Sequence, residues 1–200
     1  YTYVKRLMDV ILSLFLIFLL SPILTIISAL IFFKDGEGVF FLQRRIGQNF
    51  KPFYIIKFKT MVRTSPDSEF LNFDSRITTL GRFLRRTSLD ELPELMNILL
   101  GQMSFVGPRP LPVHYKNRFG PRFGDRHIVK PGLTGLSQVK GRKLLSWKNK
   151  FRYDLFYISH ISFLLDIYIL YATLSVVFDR SLGDASGEVE MPYFDRFDGQ

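Results

Sequence analysis

The longest pattern in the chain is a stretch without charge. From Val10 to Phe33, 24 consecutive positions carry no Asp, Glu, Lys or Arg. As a helix rising ~1.5 Å per residue, this run extends roughly 36 Å, enough to cross bilayer hydrocarbon. It is too long for the apolar core of a cleaved leader, and Lys34-Asp35-Gly36-Glu37 offers no small-residue cleavage pattern. Ser21-Pro22 sits in the middle. Pro22 cannot donate to the Phe18 carbonyl and its ring crowds that turn, so a kink is predicted, with Ser13, Ser21, Thr25 and Ser28 available to satisfy freed backbone groups. The pattern leaves a kinked spanning helix and a re-entrant one evenly matched. Basic residues flank both ends: Lys5 and Arg6 before, and Lys34, Arg44, Arg45, Lys51, Lys57 and Lys59 after. A segment that dips in and returns keeps both ends on one face, and the larger cluster puts the following chain on the cytoplasmic side in either case.

Beyond the run, Val39–Leu42 and Phe53–Lys59 are rich in β-branched and aromatic residues around Gly47-Gln48-Asn49 and Pro52, which predicts a hairpin. Thr64–Asp74 is polar, contains Pro66 and reads as a loop. Ile77, Leu80, Phe83 and Leu84 recur at helical spacing with Arg82, Arg85 and Arg86 on other faces, as in an amphipathic helix lying on a membrane surface. A second stripe, Leu89, Leu92, Leu95, Met96 and Leu99, ends at Gly101. Lys130-Pro131-Gly132-Leu133-Thr134-Gly135 is expected as a loop. Ile161–Phe178 is apolar apart from Asp166, which is costly in lipid, so it is expected to pack on the domain or lie half-immersed. The fold class predicted is α+β and helix-rich. Residues 1–36 are expected to form the membrane helix, 37–178 a domain at the membrane surface, and 179–200 an acidic, poorly ordered tail.

Composition sharpens this picture. Aromatics reach 16%, with 21 Phe in 200 residues, a richness that fits lipid contact. There is no cysteine, which excludes disulfides and thiolate metal sites. Residues 1–178 carry a net charge of +13 and the tail −4. So basic a body expects anionic partners: nucleic acid, acidic headgroups or phosphorylated substrates. The sequence begins at Tyr1 rather than methionine, leaving room for a preceding segment.

The candidate chemistry lies in Thr87–Pro110. Ser88-Leu89-Asp90-Glu91 reads as a capping box, with Ser88 capping and Glu91 reaching back. Alternatively Asp90 caps, with Pro93 in the first turn. Against these structural readings stands a chemical one. Free N–H groups at a helix start attract phosphate, and one acid of the pair can attack while the other holds a metal, Mg²⁺ being bound typically by one or two carboxylates plus substrate phosphates. Arg109, stiffened between Pro108 and Pro110, suits a bidentate phosphate contact, or is a plain surface turn. Lys57 and Lys59 face one way along a strand, as phosphate ligands or as an edge protected by lysines. Gly132, Gly135 and Gly141 can let backbone approach a diphosphate, though an RNA-binding loop has a similar pattern. His114, His127 and His160 show no metal-ligand spacing, and no P-loop, dinucleotide fingerprint or nucleophile elbow is present.

In order along the chain come SP in the apolar run, KFKTM at Lys57–Met61, RRTSLDELPELMNILLGQMSFVGPRP at Arg85–Pro110 and KPGLTGLSQVKGR at Lys130–Arg142. This series closely resembles the bacterial sugar transferases, the monotopic phosphoglycosyl transferases, over about Lys5–Phe178. The resemblance implies transfer of a sugar 1-phosphate from a nucleoside diphosphate sugar, usually UDP-linked, to polyprenyl phosphate at the cytoplasmic face of the bacterial inner membrane, with UMP leaving. It implies Asp90 as nucleophile and Glu91 as its partner on Mg²⁺. Lys59, Arg86 and Arg109 are implied as phosphate holders, Gly132, Gly135 and Arg142 as substrate-binding positions, and Ser21-Pro22 as the break that makes the helix re-entrant. Asp154 matches a family acid without an assigned role. Lys59 and Lys130 stand where many members have Arg, and His114 where an acid is common. The chain resembles the minimal catalytic form or a piece of a longer member. The implied partners are the sugar nucleotide, polyprenyl phosphate and membrane lipid, without nucleic acid. A homodimer is compatible with the amphipathic surfaces. The competing reading is a non-catalytic, membrane-tethered basic module binding acidic lipid or nucleic acid, and a third is an inactive scaffold. The acid pair separates catalysis from binding, because carboxylates repel an anionic ligand.

Overall fold

The computed structural model describes residues 1–35, 38–62, 76–119, 121–141 and 145–178. The predicted 64–74 loop, Arg142 and the acidic tail lie outside the described residues.

Helix α1 spans Thr2–Asp35 and contains Pro22. The helix continues through Ser21-Pro22. There the Ser21 hydroxyl donates to the Phe18 carbonyl at 2.8 Å, the acceptor that Pro22 leaves orphaned. By length and composition α1 suffices to cross a membrane. Its outer face exposes Leu7, Ile11, Leu14, Phe15, Phe18 and Ile26, whereas Leu12, Leu16, Ile17 and Leu20 pack on the main core. Farther along, Ile27 and Ile31 are buried against Phe58 and Leu84. Both arms of the helix therefore rest on the same globular body. Polar ties secure its start. Lys5 donates to Asp166 at 2.5 Å, and Arg6 donates to the Ile98 and Leu99 carbonyls at 2.6 and 2.8 Å. Buried Asp9 accepts from the Ser104 hydroxyl and the Phe105 N–H.

The predicted hairpin forms from β1 (Phe40–Ile46) and β2 (Pro52–Phe58), antiparallel with Phe40 opposite Phe58 and Ile46 opposite Pro52. Alternation in β2 buries Phe53 and Ile55. Helix α2 (Thr79–Thr87) starts at Thr78, whose side chain accepts from the Gly81 N–H. It crosses the end of β2 closely: a Cβ on Gly81 would lie 2.0 Å from the Thr60 carbonyl oxygen. After a tight corner comes α3 (Glu94–Leu99), which ends as predicted at Gly101, in the left-handed region at φ 80°. Of the predicted stripe, Leu95 is buried but Met96 is exposed.

A short strand β3 (Ser104–Val106) follows, then a 3₁₀ turn (Val113–Arg118), the four-residue helix α4 (Pro121–Gly124) and a further turn at Asp125–His127. Gly132–Thr134, expected as loop, is strand β4, parallel to β3 with Ser104 opposite Gly132 and Val106 opposite Thr134. Two glycines and a proline argue against a helix but not against a buried strand. Next come α5 (Leu136–Val139), α6 (Trp147–Ser159) and α7 (Phe163–Phe178). Helix α7 packs one face on the core through Ile169, and Asp166 escapes its solvation penalty by bonding Tyr1, Lys5 and Tyr157.

Fully buried Asn97 joins α3 to β2. Its amide donates to the Tyr54 carbonyl and to Gln102, each at 2.7 Å, and accepts from the Ile56 N–H at 3.0 Å. Asn97→Ala leaves two strand groups unpaired and is expected to cost about 2–4 kcal/mol, read as a lowered thermal midpoint. Exposed Leu100→Ala, the control, should leave the midpoint nearly unchanged.

Candidate active site

The acid pair sits on a corner. Helix α2 stops at Ser88, which adopts the left-handed conformation (φ 57°, ψ 17°). One 3₁₀ turn, Leu89–Glu91, then leads into α3 through Pro93. Neither capping prediction holds. Ser88 ends α2 instead of starting a helix, its side chain makes no cap, and Pro93 occupies the position before α3. With six residues, α3 is also too short for the phosphate-attracting terminus expected from the sequence.

What holds the corner is an ion cluster. Lys57, reaching from β2, meets Glu91 Oε1 at 2.5 Å and Glu94 Oε1 at 3.2 Å. Arg109 Nη2 bonds the same Glu91 oxygen at 2.8 Å. Burial alone would raise the Glu91 carboxyl, but Arg109 and Lys57 overcome it and hold the group well below the usual carboxylate range. Glu94 is 3% exposed and differs in sign: burial, then the Glu91 charge, pushes it up to about 7. Asp90 makes no hydrogen bond or ion pair with the described residues. Burial first and Glu91 second push its carboxyl from 3.8 up to about 6, against the pull of Lys57, Arg85 and Arg109. Two adjacent acids thus diverge, one saturated with cations and one free.

The predicted cations are partly rearranged. Arg109 is at the cluster, bonded to Glu91. Lys59 follows β2, its N–H donating to the Val39 carbonyl, and Arg86 is exposed on α2. Lys57 and Arg85 act on the acids directly, and Arg85 is steadied by a 2.9 Å bond from Nε to the Thr60 hydroxyl. Lys57 is one of the two strand lysines that the sequence offers as phosphate ligands, whereas Arg85 stands out from the sequence only as the neighbour of Arg86. Glu94 was missed too, although its spacing of three from Glu91 was visible.

The Arg109 backbone is fastened on every side. The Pro108 carbonyl accepts from the Gly132 N–H at 3.0 Å, that of Arg109 from Arg126 at 2.9 Å, that of Pro110 from Arg45 at 3.2 Å and that of Leu111 from the Ile46 N–H at 2.8 Å. Gly132 and Gly135 serve this packing rather than forming an open phosphate loop. Both are buried, and a Cβ on either would lie 2.1 or 2.2 Å from Gly107 backbone atoms. The Gly132 N–H is already committed to Pro108.

Among the described residues no group of three or more His, Cys, Asp or Glu is arranged to hold a metal. The corner nevertheless fits a hard cation held mainly by substrate oxygens. Asp90 is free, and both cations on Glu91 bond Oε1 alone. With cations converging on it, the site can accept a phosphorylated substrate and offer one uncommitted carboxylate to it.

The family model described as bacterial sugar transferase matches residues 1–180. The "Uncharacterized sugar transferase EpsL" of Bacillus subtilis is 41% identical over 174 residues, covering 86% of each chain. The exopolysaccharide production protein ExoY of Rhizobium meliloti is 36% identical, covering 86% of this chain and 84% of its own. The "UDP-glucose:undecaprenyl-phosphate glucose-1-phosphate transferase" of Klebsiella pneumoniae is 39% identical over 85% of this chain, which spans 39% of that longer relative. With a family model covering nearly the whole chain, this protein is a member of the bacterial sugar transferase family.

Proposed function

We propose that this chain transfers a sugar 1-phosphate from a UDP-sugar to polyprenyl phosphate in two displacements at phosphorus. In the first, an Asp90 carboxylate oxygen bonds to the sugar-bearing phosphorus as the bond to the bridging diphosphate oxygen breaks, and that oxygen's electron pair leaves on UMP. In the second, a phosphate oxygen of the lipid attacks the same phosphorus, breaks the aspartyl bond and restores Asp90. Free Asp90 beside cation-saturated Glu91 carries this reading, because a nucleophile must be available while its neighbour is held. Lys57, Arg85 and Arg109 offset the charge of the diphosphate. Asp90 and Glu91 would hold Mg²⁺, which when bound supplies Lewis-acid stabilisation of phosphoryl charge. The named activity of the Klebsiella relative is of this class.

The lipid acceptor requires the corner to work at a membrane. α1 acts as a re-entrant anchor in one leaflet, with the globular part on the cytoplasmic face of the bacterial inner membrane. Two observations support this: an exposed apolar face along α1, and packing of both its arms on one body. A straight spanning rod would carry one arm roughly 30 Å away. A module that only binds anions gains nothing from a free aspartate among its cations.

The test incubates detergent-solubilised protein with Mg²⁺, polyprenyl phosphate and a panel of UDP-sugars, and measures UMP. Release from at least one donor is expected, with Asp90→Asn at least about a thousandfold slower. Intact mass without acceptor should show one added sugar phosphate on the wild type alone. Release from no donor would overturn the proposal.

Ionisation gives two further expectations. Since Asp90 must be deprotonated to attack, kcat/KM should fall as pH drops through about 6, and Glu91, held low, should not limit that range. For stability the sign is opposite. The folded value, about 6, exceeds the ordinary aspartate value of 3.8, so ionising Asp90 costs stability as pH rises through this window. Asp90→Asn should therefore raise the thermal midpoint at pH 8, by an amount worth on the order of 1 kcal/mol after solvent screening, and leave it unchanged near pH 3.

A further inference from the structure

Asp154 and Arg126 form an ion pair with side chains only 2% and 3% exposed. Arg126 donates from Nε at 3.0 Å and from Nη2 at 2.7 Å to Asp154 Oδ2, and the same Nη2 donates to the Arg109 carbonyl at 2.9 Å. The other carboxylate oxygen, Oδ1, accepts from the Ser137 hydroxyl at 2.8 Å. Rings of Phe119 and Phe151 lie against the guanidinium, 6.0 and 5.4 Å from it. Asp154 belongs to α6, Ser137 to α5 and Arg126 to the turn before β4, so one carboxylate gathers three elements.

Burying such a pair is expensive, and apolar residues of similar volume often stabilise a core as well or better. What the pair provides instead is direction. The guanidinium plane is fixed by two bonds on one side and delivers its remaining reach to a single backbone oxygen. That oxygen belongs to Arg109, whose own guanidinium grips Glu91 beside Asp90.

We infer that Asp154 is a positioning residue for phosphoryl transfer: acting through Arg126, it clamps the Arg109 carbonyl and so aims the Arg109 guanidinium at Glu91 and the diphosphate. The inference rests on the proposed reading of the corner as the transfer site. Asp154 itself touches no reacting atom. A displacement of Arg109 by about 1 Å suffices to cost roughly a hundredfold in rate, which is why a remote carboxylate matters.

Arg126→Lys in the full chain is the direct test. Lysine keeps a positive charge against Asp154 but cannot fork to both Asp154 Oδ2 and the Arg109 carbonyl. UMP release should fall roughly ten- to a hundredfold, and Arg126→Lys combined with Arg109→Ala should be no slower than Arg109→Ala alone. Losses that multiply in the double variant would overturn the inference, because an independent structural defect adds to the loss of Arg109. Amide exchange supplies a readout without turnover. The peptide covering residues 105–111 should exchange faster in Arg126→Lys while the thermal midpoint stays near that of the wild type. Unchanged exchange there would also overturn the inference. If Arg126→Lys does not fold, Asp154→Asn, which keeps the volume and removes the charge, carries the same two comparisons. Should the wild type release UMP from no donor, the transfer reaction fails, while exchange still decides whether the pair holds the Arg109 segment.

Discussion

Glu91 Oε1 accepts from Lys57 and Arg109 at once, and through that one oxygen three distant pieces of chain meet: strand β2, the corner after α2 and the segment between two prolines. Lys57 and Glu91 are largely buried and costly to leave unpaired, whereas the Arg109 side chain reaches the pair from a half-exposed position. The cluster's electrostatics also set the character of the neighbours. With both cations committed to Glu91, Asp90 feels burial and an adjacent negative charge more than it feels compensation, and its carboxyl stays free and weakly acidic. The availability of one acid is a consequence of the saturation of the other.

Much of this was readable from the residues. The uncharged run, the hairpin and the helix end at Gly101 follow from periodicity and from the limits of glycine and proline. The motif order carried the family. What the sequence left hidden depends on distance. A Ser-x-x-Glu pattern describes a capping box as long as Glu91 has nothing better to bond, and only the folded chain brings Lys57 and Arg109 to it. Likewise Gly132 and Gly135 have the composition of a phosphate loop, yet the backbone of Gly107 lies where a side chain on either would stand. Asn97, Arg126 and Asp154 act through partners tens of residues away, beyond any local pattern.

Proline chemistry shows the same interplay inside the apolar helix. Pro22 removes one donor, and Ser21 beside it returns one to the same carbonyl. The Ser-Pro pair thus combines a weakened turn with a satisfied backbone, which is what a bend in hydrocarbon requires. The surface of that helix stays apolar while its ends are bound to the globular body by charge at one side and by packed side chains at the other.

The bond from Arg6 to the last carbonyls of α3 links the apolar helix α1 to the very helix that follows the acid corner. No flexible tether intervenes. On the proposed reading, the height of Asp90 above the acyl chains is gauged by a stiff joint between two rods, so the protein carries its own ruler for the depth at which a lipid-borne phosphate must arrive.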